Sequence, residues 1–196
     1  MVRPDDDIAR SVGALVAIAP WGAQPSERAW TAEGLARVRA PTLVVDGSAD
    51  DIVDFQQGVR WAFDRLSGTE RSLLVFRGAR HGVGVNAPQP AAADDPTQMD
   101  YFGDPVWRTD RLNGISVHFI TAFLDAALKG EADKAKYFHV PTPNAEDGVW
   151  PQAFGELKGP QFAGDGQPGY WRGFQRRSAV GLELHTLPPG ATAEGR

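Results

Sequence analysis

The chain contains no cysteine. That excludes disulfides, thiol nucleophiles and thiolate metal sites. No run of about 18 apolar residues occurs, so no segment reads as a transmembrane helix. A basic excess is also missing: 20 Lys and Arg against 25 Asp and Glu leave a net charge of −5. With no basic stripe either, a nucleic-acid surface is set aside. There is no HExxH, no CxxC and no phosphate-binding glycine loop. Gly82-Val-Gly-Val-Asn86 is too short for one, and no helix start follows it. The opening MVRPDDDIAR is polar and acidic and does not read as a signal peptide. The compartment is left open. What the chain has in quantity is turn residues, with 22 glycines and 15 prolines concentrated after residue 140. At 196 residues, 42% hydrophobic and 23% charged, it reads as a globular unit long enough to bury a core.

Residues 12 to 19, VGALVAIA, are almost wholly apolar and end at Pro20-Trp21-Gly22. A short continuous apolar run bounded by turn residues predicts a strand buried on both faces, as in parallel sheets. Ser26 can cap a helix over 27 to 38, with Trp30, Leu35 and Val38 on one side. TLVVD at 42 to 46 predicts a second buried strand. Phe55, Val59, Phe63 and Leu66 recur at helical spacing. SLLVF at 72 to 76 predicts a third strand, followed by the loop RGARHGVGVN and a polar stretch with Pro88, Pro90 and Pro96. A helix over 105 to 129 has Leu112, Ile115, Phe119, Ala122 and Ala126 inward, with Lys129 and Gly130 at its end. Alternating strands and helices predict an α/β fold with a parallel sheet and right-handed crossovers.

The tail from 141 to 196 is irregular and rich in Pro, Gly and aromatics. Trp150, Phe154, Phe162, Tyr170, Trp171 and Phe174 need something to pack on, so the tail is expected to fold against the body. Val180, Leu182 and Leu184 alternate with Gly181, Glu183 and His185, which predicts an edge strand over about 179 to 187.

In open α/β sheets, ligands bind beyond the carboxyl ends of the strands. Asp50 follows the second strand and His81 follows the third, so adjacent parallel strands would bring their loops together. An imidazole acting as base needs a carboxylate on its other ring nitrogen to fix the tautomer. Aspartate after one strand and histidine after the next is the order of the last two members of a Ser…Asp…His triad. Asp51 ranks second as the acid, and Asp54 reads as a solvated or helix N-terminal acid. His118 at mid-helix reads as packing, and His139 and His185 carry no motif. Asp94, Asp95, Asp100 and Asp104 lack the spacing of a calcium loop and read as solvated.

At these residues the chain resembles the α/β-hydrolase family, nearest to dienelactone-hydrolase-like esterases and cutinase-like polyester hydrolases. PTLVVDGSADDIV is similar to the family's seventh strand and acid loop, where the acid stands three residues after the glycine, at Asp50. LLVFRGARHG is similar to the eighth strand and histidine loop, with the base at His81. AIAPWG is similar to the end of the sixth strand, where the family's polyester-cleaving branch has a substrate-flanking tryptophan, here Trp21. RLNGISVHFITAFLDAALKG is similar to the closing helix, and YWRGF…AVGLEL matches more weakly. The resemblance covers residues 10 to about 130. It implies hydrolysis of a small-molecule carboxylic ester through an acyl-enzyme, with no cofactor and no metal.

The chain departs from the family at the nucleophile. None of its seven serines, at 11, 26, 48, 67, 72, 116 and 178, lies in Gly-x-Ser-x-Gly between a strand and a helix. The resemblance then implies the sixth to eighth strands of a longer hydrolase, over residues 1 to 140, carrying the tail. Without its family neighbour the first strand presents a bare apolar edge, which favours self-association and marginal stability. Two other readings stay open. One is an inactive or partner-dependent binding module. The other is a metal-dependent hydrolase using His81, Asp50 and His118.

Overall fold

In the computed structural model of the chain, the structure describes residues 11–85, 95, 97, 103–149, 170–174 and 176–192. Trp150, Phe154, Phe162, Pro88, Pro90 and Pro96 lie outside them. Four strands form one sheet: β1 (Leu15–Ile18), β2 (Thr42–Gly47), β3 (Arg71–Phe76) and β4 (Leu182–Leu187), in that order. β1, β2 and β3 are parallel, and β4 runs antiparallel to β3. The fold is thus α/β with a mostly parallel mixed sheet.

β2 and β3 are buried along their whole length, and their side chains divide the core. Leu43, Val45, Leu74 and Phe76 point to one face. There they meet α3 (Thr109–Lys129) through Leu112, Ile115 and Phe119. Val44, Leu73 and Val75 point to the other face. That face is covered by α1 (Ala32–Ala36) and by a π-helical turn, Phe55–Arg60, running into α2 (Trp61–Arg65). Strands covered on both faces are what near-continuous apolar runs encode. The helix spacing expected for Leu112, Ile115, Phe119 and Ala122 holds, Phe123 joins them, and Gly130 closes α3 at φ +71°.

Three expectations are corrected. The first strand is four residues long rather than eight. It lies at the sheet edge, with Leu15 39% and Ile18 41% exposed. Continuous burial requires a neighbour on each side, and among the described residues β1 has only β2. The helix expected from Ser26 over 27 to 38 is a short 3-10 turn, Pro25–Glu27, followed by α1. Thr31 takes the cap, its Oγ1 accepting from Gly34 N at 3.0 Å. Arg28 meanwhile turns toward the carbonyls of Ala23 and Gln57, and Trp30 stays on the surface. α3 begins at Thr109 rather than 105, because Asp104 draws the preceding loop elsewhere.

The tail belongs to the same core. Tyr170, Trp171 and Phe174 are buried in the cluster under α3. Phe119 stacks on Phe174 at 5.7 Å and meets Phe138 and Trp171 edge-on. β4 starts at Leu182 rather than near 179, because a short helix, Arg176–Ala179, precedes it and leaves Val180 exposed; within the strand Leu182 and Leu184 point in while Glu183 and His185 are half-buried. Arg71, fully buried, ties the far end of the sheet together. Its guanidinium donates to the carbonyls of Phe63, Asp64, Pro188 and Ala191.

Candidate active site

The loops leaving β2 and β3 are fastened to each other. Gly47 pairs with Phe76 at the last rung of the ladder. Beyond it, Ser48 N donates to Phe76 O and Ala49 N to Ala79 O, both at 3.0 Å. Ser48 Oγ accepts from Gly78 N at 2.8 Å. This fit needs glycine at 47: a Cβ there would lie 2.2 Å from the Ala79 carbonyl oxygen. Asp50 N then donates to Gly47 O at 3.2 Å, folding the loop back over the end of β2.

That turn brings Asp50 to His81. Nδ1 of His81 lies 2.9 Å from Oδ2 of Asp50, whose side chain is 0% exposed against 40% for the imidazole. Oδ1 of Asp50 accepts from Ile52 N at 2.8 Å and Val53 N at 2.7 Å. One oxygen is clamped by the backbone and the other faces the ring. Opposite a carboxylate, Nδ1 carries the hydrogen, which leaves Nε2 as the acceptor. Among the described residues Nε2 has no hydrogen-bond partner, and no serine reaches it.

The neighbouring acids are otherwise engaged. Asp51 pairs with Arg80 at 2.9 Å, on the surface. Asp54 caps the π-helical turn by accepting from Gln57 N at 2.7 Å. Asp104 accepts from Arg80 N, Val106 N and Trp107 N, pinning the segment before α3 against the histidine loop. Asp95 accepts from Thr97, while Asp94 and Asp100 lie outside the described residues. Trp21, 53% exposed, stands past the end of β1, where Ala19 takes a left-handed φ of +43°. Trp21 and Asp50 line one open cleft of about 750 Å³, together with Gln24, Ser48 and Phe55. His81 is not among its lining residues.

His118 does not join this group. Its ring packs edge-on against Phe119, Tyr137 and Phe174. Burial, then Lys134, lowers its pKa, so it packs as the neutral imidazole. Among the described residues no three metal-ligating side chains converge, so the metal-dependent reading loses the cluster it needs. His139 is exposed, and His185 pairs with Glu183 at 3.2 Å.

The sequence reading passed over Asp46, the last acid of TLVVD. It is 0% exposed, and neither carboxyl oxygen has a hydrogen-bond partner. Burial first, then the charge of Asp50, pushes its pKa up from 3.8 to about 8. In the unfolded chain Asp46 releases its proton near pH 4, whereas the folded chain holds it to about pH 8. Between those limits the native state binds the extra proton. The contribution of Asp46 to stability is therefore full below about pH 4 and falls by about 1.4 kcal/mol per pH unit until about pH 8. Asp46→Asn removes that slope. In urea titrations at pH 5 and pH 7, the variant should gain about 2–3 kcal/mol on the wild type over the interval.

Scans against protein-family models and against curated proteins find no match for this chain. The arrangement itself is an oriented imidazole with a carboxylate behind it and an open nitrogen in front, the geometry that general-base chemistry uses.

Proposed function

We propose that this chain carries the acid–base pair of a serine esterase of the α/β-hydrolase type, related to dienelactone-hydrolase-like and cutinase-like enzymes. The observation that carries the reading is the 2.9 Å contact of His81 Nδ1 with Asp50. It lies at the carboxyl ends of adjacent parallel strands, where such folds bind ligands. On this reading the serine stands on a segment other than these 196 residues, which pairs with the edge of β1 that no described residue covers. Without that segment the edge favours self-association.

In the assembled site, His81 Nε2 takes the proton of the serine hydroxyl as its oxygen attacks the ester carbonyl. The imidazolium, held by Asp50, returns that proton to the departing alcohol and leaves an acyl-enzyme. Water, deprotonated by the same nitrogen, then releases the acid. Trp21 at the cleft favours apolar or aryl acyl esters over charged ones. No step requires a cofactor or a metal.

The pure chain, offered an aryl ester, is expected to give no saturable turnover and to take no label from a fluorophosphonate. Saturation kinetics from homogeneous material would contradict a nucleophile outside the chain. A second reading, a binding module descended from such an enzyme, is favoured by one observation: no serine hydrogen-bonds His81. It is separated by the longer protein, which on that reading hydrolyses nothing.

A further inference from the structure

Gln24 lines the cleft that Trp21 and Asp50 border, yet the residue is only 7% exposed. Local geometry decides which way its amide faces. Gly22 takes a φ of +97° and turns its N–H back onto the side chain, donating to Oε1 of Gln24 at 3.0 Å. A backbone N–H meets the oxygen of an amide, so the NH₂ group is left facing the other way. The main chain is held as well. Gln24 O accepts from Glu27 N at 3.1 Å. On its other side the π-helical turn closes in: a Cβ at Gly58 would lie 3.4 Å from Gln24 N. That turn is wide because Asp54 O accepts from both Gly58 N and Val59 N. Local widening of this kind recurs at functional sites.

Nε2 of Gln24 donates to no described residue, and it is not sealed from water as the Asp46 oxygens are. It therefore opens on the cleft. An amide nitrogen carries two donors and no acceptor. A donor set this deep is costly to leave unmade once a ligand displaces its water. The surroundings restrict the acceptor. Glu27, Asp51 and Asp54 line the cleft, and none of its lining residues is Lys or Arg. Arg80 is paired with Asp51. Arg28 is engaged by the carbonyls of Ala23 and Gln57 and by the face of Trp61. A carboxylate or phosphate would meet like charge there with no partner, whereas a neutral oxygen meets a donor. Trp21 and Phe55 supply an apolar wall beside it.

We propose that Gln24 is a specificity-determining residue: its side-chain N–H donates to a neutral acceptor oxygen, a carbonyl, ether or hydroxyl, on an apolar ligand seated against Trp21. His81 is not among the residues lining the cleft, so that oxygen is remote from the reacting bond. Calling the cleft a substrate subsite rests on the assignment of Asp50 and His81 as acid and base. The hydrogen bond from Gln24 does not rest on it.

The test is a ¹H–¹⁵N nuclear magnetic resonance titration of the full chain near pH 8, in the wild type, Gln24→Glu and Gln24→Met. Three probes are used: acetophenone, ethylbenzene, which has a methylene in place of the carbonyl, and benzoate. The expected result is a saturable downfield shift of a Gln24 side-chain NH₂ proton with acetophenone and none with ethylbenzene. Both variants bind acetophenone about 3- to 10-fold more weakly than the wild type, the size of one neutral hydrogen bond. All three proteins bind ethylbenzene alike. Gln24→Glu keeps an oxygen for Gly22 N, so its backbone spectrum stays that of the wild type and its loss is not a folding defect. Benzoate binds the wild type more weakly than acetophenone does. Gln24 NH₂ signals unmoved by acetophenone overturn the proposal, and that readout needs no variant. So does an acetophenone affinity equal in all three proteins, or benzoate bound more tightly than acetophenone. The esterase reading fails separately. If the longer protein hydrolyses no ester while acetophenone still shifts the Gln24 NH₂, the oxygen-binding site stands and only its place in ester hydrolysis falls. If His81→Ala abolishes hydrolysis in the longer protein while the Gln24 signals stay still, only the role of Gln24 falls.

Discussion

His81→Ala, made in the protein that includes the nucleophile segment, is expected to lower kcat on an aryl ester by on the order of 10⁴- to 10⁶-fold, with KM little changed. The loss is large because no other described group can stand in. Asp51 is taken by Arg80, and His118 is enclosed by aromatic rings. Asp50→Asn is expected to cost about 10⁴-fold by a different route. An amide can turn its N–H toward Nδ1, which forces the ring into the wrong tautomer and occupies the nitrogen that must take the proton. It also weakens the clamp, since Ile52 N and Val53 N now meet a neutral oxygen. Initial-rate kinetics on the two variants, beside Asp51→Asn as the near-neutral comparison, check this. Equal losses at Asp50 and Asp51 would contradict the assignment.

Trp171→Ala carries the second large effect, about 3–5 kcal/mol of stability. Trp171 is 1% exposed, with Phe119 and Phe174 each 6.3 Å away, edge-on. Its Nε1 donates to Thr142 O at 2.8 Å. Alanine leaves a cavity under α3 and strands that carbonyl, a further ~1 kcal/mol. The denaturation midpoint should drop with the slope unchanged. Trp21→Ala is the control, because a half-exposed ring at a cleft mouth contributes little to folding, ~0.5 kcal/mol or less. If the two variants lose the same stability, the tail is not part of the core.

The central elements could be read from sequence because their signals are local and agree with one another. Leu43 to Val45 and Leu73 to Phe76 are uninterrupted apolar runs, and the sheet buries both. The positions of Asp50 and His81 follow from strand order alone, since parallel neighbours put consecutive loops together. The edge was harder. VGALVAIA reads as doubly buried, but burial depends on what lies beside a strand, which no residue within the strand encodes. The helix start failed through competition between local signals. Ser26 and Thr31 both can cap, and the choice fell to Thr31 because Arg28 and Pro25 are held in other geometry. Asp46 was invisible for a third reason. An acid ending a strand looks like the start of a polar loop, and only the folded sheet shows it shut away from water beside another carboxyl.

The central claim is that this chain supplies the acid and base to a serine held on a neighbouring segment. The most direct measurement is the DNA sequence upstream of the Met1 codon, translated in frame. The account predicts an apolar strand running into Gly-x-Ser-x-Gly and a helix. In-frame stop codons or an unrelated coding sequence there would contradict it.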